Sequence, residues 1–306
     1  MQFENKFIGL TVKEILAKEL GFSKRAIASL KTRQDGILIN GKHATVRAIV
    51  KENDVLTINC DDEGNNSEKL VPSSTMPNII YEDDEIVAVN KPPFMPTHQS
   101  QGHFYDTLAN SLAYYYTMQN HSFVFRSVNR LDRNTSGIVL VAKSRLSSSK
   151  LSQQMKNDGI RKTYIAILQG NLDNGEGIIE TYIRRKEKSI ILREACDKTD
   201  DSKIAITSYK VLAKKAGLSL VIATPITGRT HQLRVHFAHL GAQILGDDLY
   251  GEPSAIINRH ALHAHSLTFE HPETKEQMHL FAPLPQDMQS IIDEYFGKDF
   301  LADGTK

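Results

Sequence analysis

Residues 130–144 read RLDRNTSGIVLVAKS, a basic, turn-rich segment that runs straight into an apolar stretch. The apolar part is short and β-branched, which predicts a buried strand. Asp132 stands between Arg130 and Arg133 just before that strand, a carboxylate flanked by two guanidinium groups.

Working outward, further strands are expected on both sides. NIIYEDDEIVAVNKP (78–92) reads as two strands around an acidic turn. TYIAILQG (163–170) and LSLVIATPITG (218–228) are short apolar runs of strand length. Between and after them lie helical patterns. In YDTLANSLAYYYTMQ (105–119) Leu108, Leu112, Tyr115 and Tyr116 recur at helical spacing, and HQLRVHFAHLG (231–241) has helical length with Gly241 as its stop. Strands and helices mix without strict alternation. The expected class is therefore α+β, with a mixed, largely antiparallel central sheet flanked by helices.

The N-terminal part reads as a separate small α/β unit. Val12, Ile15, Leu16 and Leu20 share one helical stripe behind the capping pair Thr11 and Glu14. Ser23 caps a second helix whose Ile27 and Leu30 face inward while Lys24, Arg25, Lys31 and Arg33 stay outside. GILIN then ends at an Asn40-Gly41 turn followed by Lys42, and DVLTIN closes the unit. Residues 61–75, DDEGNNSEKLVPSST, have linker chemistry. The expected division is a unit at 8–60, a linker at 61–75 and a larger domain at 76–306.

The formal net charge is only +1, but its distribution is uneven. Gly9 to Lys51 holds nine Lys/Arg against three Asp/Glu, and Arg126 to Tyr164 nine against two. Asp61 to Asn90 carries eight acids and one lysine. Two basic stretches on a balanced chain suit phosphate contact, although a single charge run is more often a solvated face. Two distant cysteines, Cys60 and Cys196, with no CxxC fit a reducing cytoplasm. No apolar run is long enough to span a membrane, and MQFENKFIGL lacks the pattern of a secretory signal.

On these residues the chain resembles the RluA-type pseudouridine synthases. Arg130, Leu131, Asp132, Thr135, Ser136 and Gly137 match that family's H-R-L-D-x-x-T-S-G pattern, with Asn129 in place of His. Lys162, Thr163 and Tyr164 with Ala166 and Gly170 are similar to its K-x-Y segment. TGRTHQLRVHFAHLGAQILGDDLYG (227–251) is similar to its later motif, and NKPPFMPTH (90–98) to its N-K-P segment, with Phe94 where glycine is common. The N-terminal unit resembles the small RNA-binding domain first known from a small-subunit ribosomal protein (S-four-like), with Ser23, Lys24, Arg25, Asn40 and Gly41 at its characteristic places.

The resemblance implies an isomerase that turns uridine into pseudouridine. Asp132 would be the catalytic carboxylate, Arg234 its basic partner, and Tyr164 the residue against the target base. RNA contacts are expected from Arg130, entering the space of the flipped base, and from Arg133, Arg229, Lys24, Arg25, Arg33 and Lys42. No cofactor or metal is expected. The expected partner is large-subunit ribosomal RNA, with transfer RNA second, and the expected protein is a cytoplasmic monomer. The competing expectation is a non-catalytic RNA-binding or ribosome-assembly factor on the same scaffold, which Asn129 keeps open.

Three other signals carry less. Gly36 to Lys42 mimics a phosphate loop, but His43 stands where Ser or Thr would hold magnesium. His231, His236, His239, His263 and His265 could be metal ligands, but no Cys or H-E-x-x-H accompanies them. Tyr114 to Tyr116 could stack bases, though helical spacing puts part of that run in the core.

Overall fold

The computed structural model describes residues 1–60, 70–170, 172 and 175–297. Its N-terminal unit contains β1 (Gln2–Glu4), α1 (Val12–Glu14) continuing as a π-helical turn (Ile15–Glu19), α2 (Lys24–Thr32), β2 (Ile37–Ile39), β3 (Lys42–His43) and β4 (Val55–Ile58). The strands pair in the order β1-β4-β2-β3. Thr11 and Glu14 form the expected capping box, and the Ser23 side chain accepts from Ala26 N. Asn40 (φ 52°) and Gly41 (φ 74°) are both left-handed, as a two-residue hairpin turn demands. The striped residues Val12, Ile15, Leu16 and Leu20 pack with Leu30, Ile37, Leu56 and Ile58 in a core of their own.

The rest of the described chain builds on one ten-stranded sheet. Its elements are β5 (Ile79–Glu82), β6 (Ile86–Lys91), α3 (Leu108–Met118), β7 (Ser136–Ala142), α4 (Arg145–Lys156), β8 (Arg161–Gln169), β9 (Glu176–Arg185), β10 (Arg193–Cys196), β11 (Lys203–Lys215), β12 (Leu218–Pro225), α5 (Gln232–His239), β13 (Leu262–Glu270), β14 (Gln277–Phe281) and α6 (Gln286–Tyr295). The sheet runs β10-β9-β11-β12-β8-β13-β7-β6-β5, with β14 beside β13. Every pairing is antiparallel except β7 with β13. This is the expected mixed, mainly antiparallel α+β sheet.

The single parallel pair positions the site. Ser136 and Gly137 lie beside His263 and Ala264 at the start of both strands. The segments that enter these strands must therefore meet at one edge. The pairing is close: a Cβ on Gly137 would sit 2.2 Å from the Ala264 carbonyl oxygen, and Gly137 has φ 115°. Only glycine satisfies both conditions.

Part of the linker expectation falls on residues 61–69, which lie outside the described residues. Residues 70–75 do not hang free. Asn110, wholly buried in α3, donates from Nδ2 to Val71 O at 2.6 Å, and Ser73 N donates to Asn110 O at 3.1 Å. Ser111 Oγ donates to Thr75 O at 2.9 Å, and Leu70 packs on the large core. The N-terminal unit also touches the larger one directly. Leu146 of α4 packs against its core, and Arg145 Nη1 donates to Ser29 Oγ at 3.3 Å.

Two truncations separate these contributions. A chain starting at residue 70 is expected to fold. One starting at 76 loses three hydrogen bonds worth about 1 kcal/mol each and should melt roughly 5–10 °C lower. Equal melting temperatures would show that 70–75 contribute nothing to the larger unit.

Candidate active site

The loop before β7 is fixed by five holds. Leu131 is buried and exchanges two hydrogen bonds with Thr97, whose Oγ1 donates to Leu131 O at 3.0 Å and accepts from Leu131 N at 3.2 Å. Lys91, fully buried, donates from Nζ to Pro92 O, Met95 O and Arg133 O at 2.8, 2.7 and 3.2 Å. Burial, with Arg259 nearby, pulls its pKa down to about 7. Arg259 Nη1 donates to Asn134 O at 3.1 Å while its fork holds Asp287. Thr135 Oγ1 and Ser136 Oγ pair with His260 Nε2 and His263 Nδ1 at 2.7 and 2.9 Å.

Asn129 supplies the fifth hold. Its Nδ2 donates to Ile138 O at 2.9 Å and its Oδ1 accepts from Leu140 N at 2.8 Å. One amide thus pairs with the edge of β7 as a neighbouring strand would. Phe94, at the other departure from the family pattern, has φ 65°, a left-handed conformation that glycine takes without strain.

What remains of the loop is Asp132, turned into a cleft of about 770 Å³. Arg130, Tyr164, Arg229, His231 and Arg234 line it too, with His98, Lys156 and Lys162. Tyr164 sits on β8 between two alanines, Ala223 of β12 and Ala264 of β13, which leave room for its ring. Burial first, and then the Asp132 charge, push its hydroxyl pKa upward. Gln232 folds the 227–231 loop onto the sheet. It accepts from Thr227 Oγ1 and Arg229 N and donates to Ile206 O and Thr207 Oγ1, so all its polar capacity is used.

Arg234 reaches Asp132 Oδ2 from Nη1 at 3.5 Å, but its fork belongs to another carboxylate. Nε and Nη2 donate to Asp247 Oδ2 and Oδ1 at 2.7 and 2.6 Å, deep in the protein. Arg234 is therefore a partner of Asp132 through one nitrogen only, and its bidentate hold is on Asp247. Asp247 Oδ1 also accepts from Leu249 N and Tyr250 N. Nothing in the spacing of residues 234 and 247 announces this pair.

A family model of RNA pseudouridylate synthases matches residues 85–239, and one of the RluD ribosomal pseudouridine synthase N-terminal domain matches residues 1–56. The chain is 39% identical to the uncharacterized RNA pseudouridine synthase YjbO of Bacillus subtilis, over 92% of this chain and 98% of that one. The chain belongs to the RNA pseudouridine synthase family. The synthase is also 34% identical to the ribosomal large subunit pseudouridine synthase D of Buchnera aphidicola, over 94% of each chain. Among solved structures it is similar to human RNA Pseudouridylate Synthase Domain Containing 1, with 27% identity and a TM-score of 0.57 over 68% of this chain and 84% of that one.

The other sequence candidates divide. Arg130 is exposed and lines the cleft; Arg133 is exposed but outside its lining, and its backbone carbonyl accepts from Lys91. Arg229 lines the cleft while its Nε donates to Ile204 O at 2.8 Å. Lys24, Arg25 and Lys42 are exposed on the N-terminal unit of the synthase, and Arg33 there pairs with Asp35 at 3.1 Å. Tyr115 and Tyr116 both donate to Glu82, and Tyr116 stacks on Phe123, so these two rings are structural. His236 is buried between Thr181 and Thr207, and burial first, with His239 adding, pulls its pKa down to about 4. Among the described residues no three His, Cys, Asp or Glu side chains come together as metal ligands.

The shared arginine yields a test. Burial alone would raise the Asp247 carboxyl pKa, but the Arg234 hydrogen bonds outweigh it and hold it below the ordinary range. The pair's contribution to stability is therefore complete above the ordinary carboxylate range and is lost as pH falls through the lowered value. Asp247→Asn should cost about 3–5 kcal/mol in denaturant unfolding, because it strands a buried cation. Arg234→Lys should retain partial pseudouridine formation and Arg234→Met should lose far more. Wild-type stability of Asp247→Asn would show that the fork does not hold Arg234.

Proposed function

We propose that the synthase isomerises specific uridines in large-subunit ribosomal RNA, with Asp132 as the reacting carboxylate and no cofactor. The observation that carries this is the asymmetry of Asp132. Its Oδ2 faces Arg234 and His231 at 3.5 and 3.8 Å. Among the described residues no protein group donates to Oδ1, and the side chain keeps 25% of its surface open to the cleft. The ribosomal target is supported by the relatives named for the large ribosomal subunit in Buchnera aphidicola and Borreliella burgdorferi.

In this isomerisation the C1′–N1 bond of uridine breaks and a C1′–C5 bond forms. The C5 proton leaves and N1 gains a proton, so no redox partner or group donor is needed. A carboxylate oxygen serves either of two routes, attack on C1′ or removal of the 2′ proton, and the open Oδ1 supplies it. A uridine must leave its stack to reach this depth. Arg130, exposed at the cleft, has the planar guanidinium suited to fill the vacated space. Tyr164 is held protonated by its raised pKa, which suits it to support the base as a neutral phenol. The reason for preferring a non-catalytic factor was Asn129, and that residue ties its loop firmly to β7.

The N-terminal unit offers Lys24 and Arg25 at the start of α2, where backbone N–H groups also favour phosphate. Its share of binding is open to measurement. Removing residues 1–69 should weaken RNA affinity and flatten its salt dependence by about 2 in log-log slope, at roughly 0.7–0.9 per lost phosphate contact. An unchanged slope would argue that this unit does not touch the RNA.

Asp132→Asn is expected to abolish pseudouridine formation while changing RNA affinity less than about twofold, since the swap preserves shape and removes charge. Pseudouridine mapping on ribosomal RNA from cells with and without the protein would identify the target uridine. Turnover by purified Asp132→Asn near the wild-type rate would overturn the assignment.

A further inference from the structure

His231 stands at the entrance to α5 with φ 58° and ψ 19°, a left-handed conformation, and its side chain makes no capping bond. Glycine or asparagine would hold such a turn with less strain. A histidine kept there suggests that the side chain is needed. Its two ring nitrogens have distinct surroundings. Nδ1 lies 2.8 Å from Tyr250 Oη, and Nε2 lies 3.8 Å from Asp132 Oδ2.

The hydrogen-bond inventory favours one tautomer. Tyr250 Oη already accepts from Arg193 N at 2.9 Å, and the phenol has one proton to give. Giving it to His231 Nδ1 leaves no donor idle and places the imidazole proton on Nε2, facing the carboxylate. The opposite tautomer would strand the phenolic proton and set a lone pair against Asp132. Burial holds the imidazole pKa below its ordinary range against the opposing pull of Asp132, so the ring is neutral near pH 7. Tyr250 is itself fixed, with the Arg234 guanidinium 5.1 Å from its ring centre.

We propose that His231 is a positioning residue for Asp132. The chain Arg193 N–H, Tyr250 O–H, His231 Nε2–H is aimed at Oδ2 from 3.8 Å, the same oxygen that Arg234 Nη1 reaches at 3.5 Å. With Arg234 bonded to Oδ2 and the His231 donor closing on the same oxygen as the nucleoside enters, the carboxylate plane is held and Oδ1 is turned toward the nucleoside. This rests on the reading of Asp132 as the reacting group. His231 touches no reacting atom.

The test uses single-turnover pseudouridine formation on the mapped RNA fragment, with RNA affinity measured separately. His231→Leu is expected to lower the rate by roughly 10- to 100-fold with affinity within about twofold, the size of effect that misplacing a reacting group produces. His231→Gln, whose amide nitrogen can replace the Nε2 donor, should recover most of that loss. His231→Asn suits the left-handed backbone but is too short to reach, so it should be as slow as the leucine variant while folding well. Two-bond nitrogen–proton spectra of the wild type should show the Nε2–H form, and Tyr250→Phe should mix the tautomers. A wild-type rate for His231→Leu, an Nδ1–H ring, or equal losses for Gln and Leu would overturn the proposal. If Asp132→Asn is inactive in the same assay, only the role of His231 falls. If Asp132→Asn is active, the reading of the whole site falls with it.

Discussion

A single buried guanidinium constrains the centre of this protein. Arg234 is 4% exposed and has two carboxylates in reach, Asp247 through its fork and Asp132 through its remaining nitrogen. A buried cation of this kind is tolerable only when it is paired, and the 2.6 and 2.7 Å bonds to Asp247 meet that requirement. With the fork spent on Asp247, the group left for Asp132 is a fixed donor at 3.5 Å. The division of roles follows from geometry. Asp247 stabilises the arginine, the arginine orients Asp132, and Asp132 keeps an oxygen open to the cleft.

The same economy governs the loop that carries Asp132. Its backbone carbonyls at Leu131, Arg133 and Asn134 accept from Thr97, Lys91 and Arg259, three side chains from distant parts of the chain. Buried backbone groups need such partners wherever no neighbouring strand supplies them. Asn129 imitates that neighbour at the start of β7, and the close parallel contact at Gly137 brings the segment around residue 260 against the loop. The loop is therefore anchored along its length although it has no regular secondary structure. Anchoring of this sort fixes the direction in which the loop presents its carboxylate.

Much of the framework was legible in local sequence. The stripe from Val12 to Leu20, the Ser23 cap, the Asn40-Gly41 turn and the apolar strands at 86–91, 136–142, 163–169 and 218–225 each obey a rule that operates within a few residues. The segments from 176 to 215 and from 262 to 295 gave weaker signals. Apart from β13 their strands have few buried residues, and their registers depend on partners far away, as in β9, which lies between β10 and β11. Residues 70–75 read as linker because Pro and Ser dominate them, yet Asn110 and Ser111 bind their backbone. Composition reports on side chains and is silent about where carbonyl groups find donors.

By itself the sequence determined the mixed fold class, the small basic N-terminal unit, and a set of polar residues (Asp132, Tyr164, Arg234) that the tertiary structure brings to one cleft. The first two follow from periodicity and capping, which are properties of neighbouring residues, and the third from the resemblance of short motifs to those of the family. The tertiary structure alone decided that Arg234 is bonded first to Asp247, that Arg133 is outside the cleft lining, that Asn129 binds the edge of β7, and that His231 faces Asp132. Each of those depends on a distance between groups far apart in the chain or on a backbone angle such as the 58° φ of His231. Such quantities are set only when the strands have paired and the core has closed, because the packed sheet, not the local chain, fixes where those groups stand.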